Sequence, residues 1–362
     1  MSVLAIIALL AVLIFVHELG HFLAARLQGI YANRFSIGFG PILWKYQGSQ
    51  TEYALRALPL GGFVGFPDDD PDSDIPKNDP NLLRNRPVLD RAIVISAGVI
   101  ANLVFAYFVL AGQMAIVGSP TVDYLPGVLI PKVTPQEVAA QAGIRDGDVI
   151  VAINGRTLDA TAQTASDLRS AIETSPAQPL QLTVQRSTET LNLNVTPADV
   201  DGKGRIGIAL QPNVKRQPDG KAVYYKHPAN ISQVFGWAGE EFQRIVVLTV
   251  QGFGQLISNF SKTAEQVSGP VAIVATGAKI AQSDASSLFN FAALISINLA
   301  VINILPLPAL DGGQLAFLLI EGLRGKPLPT KLQDGVMQTG LVLLLGLGVF
   351  LIIRDTVNLI PQ

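Results

Sequence analysis

The chain has 362 residues, of which 49% are hydrophobic and only 15% are charged, and its formal net charge is −2. With a mean hydropathy of +0.38, this composition excludes an ordinary soluble protein and is typical of a polytopic membrane protein with a soluble insert. The chain has no excess of basic residues, so its charge does not indicate nucleic acid as a partner. Because the chain has no cysteine, a metal ion must be held by its three histidines and by carboxylates.

Residues 1–30 are predicted to form the first transmembrane helix, because their long apolar run carries no charge before its end except Glu18. The run contains the sequence HELGH, which begins at His17 and ends at His21. On a helix these two histidines share one face, about 6 Å apart along the axis, and can bind one metal ion. Glu18 lies beside that face, where a carboxylate could take a proton from water at the metal. Ionisable groups are costly in hydrocarbon, so a functional site is favoured over solvated or core histidines.

Two further segments follow before the soluble insert. Residues 31–91 are predicted to form a membrane-associated β-hairpin region followed by a cytoplasmic loop, because the stretch from Tyr31 to Phe66 alternates apolar and polar positions between glycines. Residues 92–117 are predicted to form the second transmembrane helix. In it Gly98 and Asn102 share a face, which is typical of close helix packing with one interhelical hydrogen bond. Gly98 is interpreted as a packing residue, while Asn102 stays open between packing and substrate contact.

Residues 118–230 have the composition of a soluble domain, and residues 231–285 are predicted to be an amphipathic juxtamembrane segment. The sequence AGIRDGDVI from Ala142, followed by ING from Ile153, resembles the signature of bacterial PDZ domains. Such domains bind an extended peptide or a chain end by strand addition beside a glycine-containing loop, for which Gly127 is the nearest candidate. The alternative is a spacer that restricts access and binds nothing.

Residues 286–323 are predicted to contain the third transmembrane helix and residues 324–362 a cytoplasmic loop with the fourth. The third helix meets the sequence NILPLPALDGG, which begins at Asn303. Two prolines and two glycines around Asp311 predict a helix that is broken within the membrane and that projects this carboxylate into a cavity. Asp311 is therefore the natural third metal ligand.

The distribution of basic residues gives a topology. Lys and Arg cluster in residues 26–91 and 324–331, which places both segments in the cytoplasm and residues 118–287 outside. The first and third helices then both run from outside to inside. The two histidines and the aspartate are expected to meet at one depth, nearer the cytoplasmic face.

The chain resembles site-2 proteases of the RseP type in the order of its motifs. These motifs are the HELGH sequence, the GFGP sequence from Gly38, the Gly98–Asn102 pair, the PDZ signature and the NILPLPALDG sequence. The resemblance covers nearly the whole chain. It implies a polytopic α-helical membrane protein with about four transmembrane helices, a membrane-associated β-hairpin region and one inserted extracytoplasmic PDZ domain. Two departures are the single PDZ domain, where well-known members carry two, and Val99, where the family often has proline.

The resemblance implies an intramembrane zinc metalloprotease that hydrolyses peptide bonds in transmembrane segments during regulated intramembrane proteolysis. Expected substrates are a pre-trimmed anti-sigma factor or signal-peptide remnants. Carried over by position, Glu18 would be the catalytic acid/base. The remaining assignments are Zn2+ ligation by His17, His21 and Asp311, and substrate binding by Asn303, Asn102 and Pro306.

The expected partners are transmembrane protein substrates, the lipid bilayer, and a peptide or chain end for the PDZ domain, with no nucleic acid. The expected location is a bacterial inner membrane, or a thylakoid or plastid membrane. The alternative function is a proteolytically inactive membrane adaptor that binds through its PDZ domain. A zinc transporter is disfavoured, because it would need ligands along a path through several helices.

Overall fold

The computed structural model describes residues 2–70, 73–217, 220, 222–259, 267–284 and 286–359. The chain divides into two compact units, and each is described by itself below. One unit joins Met1–Gly118 to His227–Gln362, and the other is Ser119–Lys226.

The amino-terminal part of the larger unit is built on two long apolar helices that pack closely. Its elements are α1 (Ser2–Leu27), β1 (Arg34–Gln47), β2 (Glu52–Gly65), the 3-10 turns Pro67–Asp69 and Leu83–Asn85, and α2 (Val88–Ile116). A methyl group added at Gly20 would lie 2.4 Å from the carbonyl oxygen of Ala97. This glycine therefore lets the two helix backbones approach each other, as small residues do in membrane helix pairs.

The strands β1 and β2 are bent and pair with each other more than once. Residues 42–47 pair antiparallel with residues 52–56, which also pair in parallel register with residues 34–37. Residues 34–37 pair on their other side, antiparallel, with residues 62–65. Positive φ angles at Gly38 and Gly61 allow the bends. The four strand segments thus form one small sheet in which residues 62–65 are an edge.

The smaller unit has its own hydrophobic core. Its five-strand path runs β11-β4-β5-β7-β8, with β6 paired to β5, and the α4 helix packs on it. Its elements are β3 (Ser119–Val122), β4 (Tyr124–Leu129), α3 (Val138–Gln141), β5 (Val149–Ile153), β6 (Arg156–Thr157), α4 (Thr164–Glu173), β7 (Leu180–Arg186), β8 (Glu189–Val195), β9 (Ala198–Val200), β10 (Lys203–Arg205), β11 (Gln211–Val214) and β12 (Val223–Lys226). Val128, Ile150 and Leu182 are fully buried in this core.

The rest of the larger unit is helical: α5 (Ile231–Ser258), α6 (Pro270–Ser283), α7 (Ser287–Ile304), α8 (Asp311–Arg324) and α9 (Thr330–Leu359). Asn230 caps α5, since its side chain accepts a hydrogen bond from the backbone of Gln233. One face of α5 packs on α2 through Val234, Ala238 and Ile245. The core of this unit lies where α2 meets α5 and α7.

Within the described ranges, four helices are long and apolar enough to cross a membrane: α1, α2, α7 and α9. Their number agrees with the four predicted from the sequence. The helix α2 begins at Val88, before the predicted boundary at 92, and α9 begins at Thr330 and extends beyond the apolar run. Both helices are longer than their apolar runs because a helix makes its own backbone hydrogen bonds and can therefore continue past the hydrocarbon boundary into water.

Candidate metal centre and active site

The HELGH sequence is helical throughout and lies in the C-terminal half of α1. The Nε2 atoms of His17 and His21 lie 3.2 Å apart, as the four-residue step on one helix face predicts. At 1.5 Å per residue, His17 lies about 15 Å from Leu27, the end of α1. Gly98, which touches both imidazoles, lies equally far inside the first residue of α2. Both positions therefore lie well inside helices that are long and apolar enough to cross a membrane.

The chain between α7 and α8 brings a carboxylate to the two histidines. The helix α7 ends at Ile304, Ala309 adopts the left-handed conformation with φ of 68°, and Asp311 is the first residue of α8. Methyl groups at Gly312 and Gly313 would lie 2.2 Å and 2.4 Å from carbonyl oxygens of the connecting segment. The glycines therefore permit the tight turn, and the positive end of the α8 dipole favours the Asp311 carboxylate.

Three ligand atoms form a nearly equilateral triangle. The Oδ2 atom of Asp311 lies 3.2 Å from Nε2 of His17 and 3.3 Å from Nε2 of His21. A tetrahedral zinc ion with ligand distances near 2.05 Å requires ligand atoms separated by about 3.3 Å. This Oδ2 atom is also buried and accepts no hydrogen bond from the described residues. The donor set and its spacing therefore fit Zn2+.

Glu18 lies beside the triangle, against the small sheet. A methyl group added at Gly62 would lie 2.8 Å from Cγ of Glu18, so the backbone of β2 runs directly past this side chain. Glu18, both histidines and Asp311 line one cavity of about 830 Å³. A carboxylate that shares a cavity with a metal site can act as a general acid and base there.

The cavity has a polar side that offers a route for water. Its wall includes Asp68, Arg84, Arg91, Gln333 and Asp334. Asp68 accepts hydrogen bonds from the backbone of Leu83 and from the guanidinium of Arg84, the latter at 2.9 Å. It is therefore part of a folded corner.

The three predicted substrate-binding residues occupy different environments. Asn303 lines the cavity, and its Nδ2 atom lies 3.5 Å from Nε2 of His17. Asn102 is fully buried and contacts Nδ1 of His17 at 3.2 Å, outside the cavity lining. Pro306 is exposed and does not line the cavity either. The structure thus brings one of the three to the cavity wall.

Sequence reasoning missed several contacts of the histidines. The Nδ1 atom of His21 lies 2.8 Å from the carbonyl oxygen of Val94, on α2. A methyl group added at Gly98 would lie 2.3 Å from Nε2 of His21 and 2.8 Å from Cε1 of His17. The available signal was spacing, since Val94, Gly98 and Asn102 follow one another at intervals of four and share a helix face.

Several known proteins are similar to this chain over most of its length. The family model of peptidase family M50 matches residues 5–347. A protein of Nostoc sp. whose name places it among zinc metalloproteases is 63% identical over an alignment of 364 positions, which covers 100% of this chain and 98% of that protein. The membrane metalloprotease ARASP, chloroplastic, of Arabidopsis thaliana is 48% identical over 99% of this chain and 79% of that protein. The regulator of sigma-W protease RasP of Bacillus subtilis is 28% identical over 95% of each chain.

A solved PDZ domain of the SdrC-like protein from Listeria monocytogenes matches 23% of this chain and 86% of that one, at 21% identity and a TM-score of 0.21. That score is too low to bear on the fold. The family match covers most of the chain, and four helices within the described residues are apolar and long enough to cross a membrane. This chain therefore belongs to peptidase family M50, the site-2 proteases, and is a membrane-embedded zinc metalloprotease.

Proposed function

We propose that His17, His21 and Asp311 hold the zinc ion of this peptidase and that Glu18 is its catalytic acid and base. The observation that carries the proposal is the triangle of ligand atoms, with sides of 3.2 to 3.3 Å, in the wall of a cavity that also contains Glu18. Zinc with three protein ligands supplies Lewis acidity, which polarises a carbonyl group and acidifies water.

The residues around the triangle carry the rest of the chemistry. Glu18 takes a proton from the attacking water and returns one to the leaving amine. The polar side of the cavity, with Asp68, Arg84 and Arg91, admits that water to a site that is otherwise surrounded by apolar helices. Asn303 lies at the cavity wall near His17, where its amide can donate a hydrogen bond to a substrate carbonyl.

The substrate is a transmembrane segment presented as an extended strand. A peptide bond in a helix has its carbonyl group hydrogen-bonded and shielded, so the helix must unwind before cleavage. Among the described strands, residues 62–65 pair with residues 34–37 on one side only, and Gly62 lies against Glu18. A substrate strand that adds to this edge would pass the catalytic carboxylate, and strand addition is a common way to bind extended peptides.

The relative named as a regulator of sigma-W protease suggests the class of substrate. By analogy, this chain acts in regulated intramembrane proteolysis on a pre-trimmed anti-sigma factor or on signal-peptide remnants. Basic residues near the ends of α1 and α2 favour a cytoplasmic location for the site end of these helices. The 119–226 unit is then extracytoplasmic, in a bacterial inner membrane or in a thylakoid or plastid membrane, and binds a peptide or chain end or restricts access.

The alternative of a proteolytically inactive adaptor is less well supported. An adaptor has no need for three ligand atoms at zinc spacing with a glutamate beside them, and all four groups are in place here. A retained but inactive site would bind zinc without cleaving any membrane protein, so activity separates the two functions.

The test compares the purified wild-type chain with Glu18→Gln in detergent or bilayers. Because the amide keeps the shape of the side chain but cannot accept the proton, we expect normal zinc content and no cleavage of a reporter transmembrane substrate. Glu240→Gln, at an exposed position of α5, is the matched control and should cleave normally. Full cleavage by Glu18→Gln would contradict the assignment. Accumulation of uncut membrane stubs in cells that carry this variant would then identify the natural substrate.

A further inference from the structure

One face of α2 contacts both histidines of the proposed metal site. Val94, Gly98 and Asn102 follow at four-residue intervals, and all three are buried. The carbonyl oxygen of Val94 lies 2.8 Å from Nδ1 of His21 and can only accept a hydrogen bond. Nδ1 of His21 therefore carries a proton, and in the neutral ring this leaves a lone pair on Nε2, which lies 3.3 Å from Oδ2 of Asp311.

The corresponding partner of His17 is Asn102. Its side chain is fully buried, and the nearest atom of its carboxamide lies 3.2 Å from Nδ1 of His17. The other carboxamide atom, assigned as Oδ1, is buried and has no hydrogen-bond partner among the described residues. The hydroxyl of Ser296 donates to the backbone carbonyl of Asn102 at 2.8 Å, which holds this part of α2 against α7.

The chemistry of ligation decides which carboxamide atom must face the ring. A histidine that binds a metal through Nε2 carries its proton on Nδ1, and that proton needs an acceptor. A half-turn of the carboxamide exchanges its oxygen and nitrogen at nearly unchanged positions. If the nitrogen faced Nδ1 instead, the ring proton would be on Nε2, where the lone pair is needed.

We propose that Asn102 is a positioning residue whose Oδ1 atom accepts a hydrogen bond from Nδ1 of His17 and so fixes this imidazole for ligation through Nε2. This role rests on the metal site described under the proposed function and differs from the substrate contact expected from the sequence. The Val94 carbonyl and the Asn102 side chain then serve the two histidines in the same way, and both come from one helix face. Gly98, between them, leaves the space in which the rings stand.

The test measures zinc affinity in the full-length chain, purified in detergent, by competition with a chromophoric chelator. Asn102→Leu keeps the number and branching of the side-chain heavy atoms but removes the acceptor, and we expect its zinc Kd to rise about 10- to 100-fold. Asn102→Asp can only accept at Nδ1, so its Kd should stay within about threefold of wild type or fall. Gln113→Leu, equally buried on the same helix but remote from the histidines, should bind zinc like wild type. The visible spectrum of the cobalt-substituted protein should change in Asn102→Leu and in neither of the other variants.

The outcomes separate the two proposals. Unchanged zinc affinity in Asn102→Leu would overturn the positioning role, and so would an Asn102→Asp variant that binds as weakly as Asn102→Leu, because the amide would then be a donor. If Asn102→Leu does not accumulate, a large loss of affinity in Asn102→Asp alone would still overturn it. Absence of zinc binding in the wild-type chain would overturn the proposed metal site itself.

Discussion

The substitution Gly98→Ala tests whether the geometry of α2 sets the geometry of the proposed metal site. The new methyl group would lie 2.3 Å from Nε2 and 2.7 Å from Cε1 of His21, and 2.8 Å from Cε1 of His17. Carbon and nitrogen atoms do not pack much closer than about 3.4 Å, so the His21 ring would have to move by about 1 Å. Such a shift must disrupt either its hydrogen bond to Val94 or the triangle with Asp311.

We expect Gly98→Ala to weaken zinc binding at least about tenfold and to lower cleavage about 100-fold, which is the usual effect of misplacing a reacting group by 1 Å. Alanine also favours the helix over glycine by about 1 kcal/mol, so the fold itself should be retained. Zinc loss without loss of helix content is therefore the expected pattern, measured by metal analysis, a reporter cleavage assay and circular dichroism.

The matched control is Gly112→Ala on the same helix. There the added methyl group would lie 3.9 Å from Cε1 of Phe289, an ordinary van der Waals contact. This variant should bind zinc and cleave like the wild-type chain. If Gly98→Ala behaves like Gly112→Ala, the proposed close fit between α2 and the histidines is wrong.

Two further predictions concern stability. Burial raises the pKa of Asp148, but hydrogen bonds from Arg186 and from the backbone outweigh burial and hold this pKa below its usual value. The ionised Asp148 therefore stabilises the fold above about pH 4, and this stabilisation is lost as the pH falls through the lowered pKa. Asp148→Asn should therefore flatten the acid unfolding of the 119–226 unit, followed by circular dichroism, and an unchanged acid limb would contradict this. The second concerns Arg91, which forms a two-bond ion pair with Glu321 between α2 and α8. Arg91→Met should destabilise by about 3–5 kcal/mol, because it leaves a charge unpaired, and adding Glu321→Leu should restore much of the thermal midpoint; additive losses would refute this.

The local sequence was sufficient to predict those parts of the proposed site that depend on a single helix or on a single break in a helix. The four-residue step between His17 and His21 needs only a helix, and the prolines and glycines around Asp311 break one wherever they occur. The apolar runs likewise indicated four long helices, since length and composition are sufficient for that prediction.

Contacts between distant helices could not be read in the same way. That Asn102 faces His17 depends on the rotation of α2 and on its depth relative to α1, which are set by close packing at Gly20 and Gly98. The pairing of residues 52–56 with two other strand segments could not be predicted from the sequence either. Bends at Gly38 and Gly61 change which segments pair without changing the alternation of apolar and polar residues. Both require tertiary packing, which sequence periodicity does not encode.

The third proposed ligand comes from the opposite end of the chain from the other two. The histidines are made and inserted among the first residues, whereas Asp311 follows only after α1, α2, the whole 119–226 unit and α7. A ribosome-bound chain therefore carries two ligands and the glutamate but lacks the carboxylate that completes the set. If these three residues hold the zinc ion, proteolysis can begin only after residue 311 has been made, so an unfinished chain cannot cut other helices that are being inserted into the same membrane.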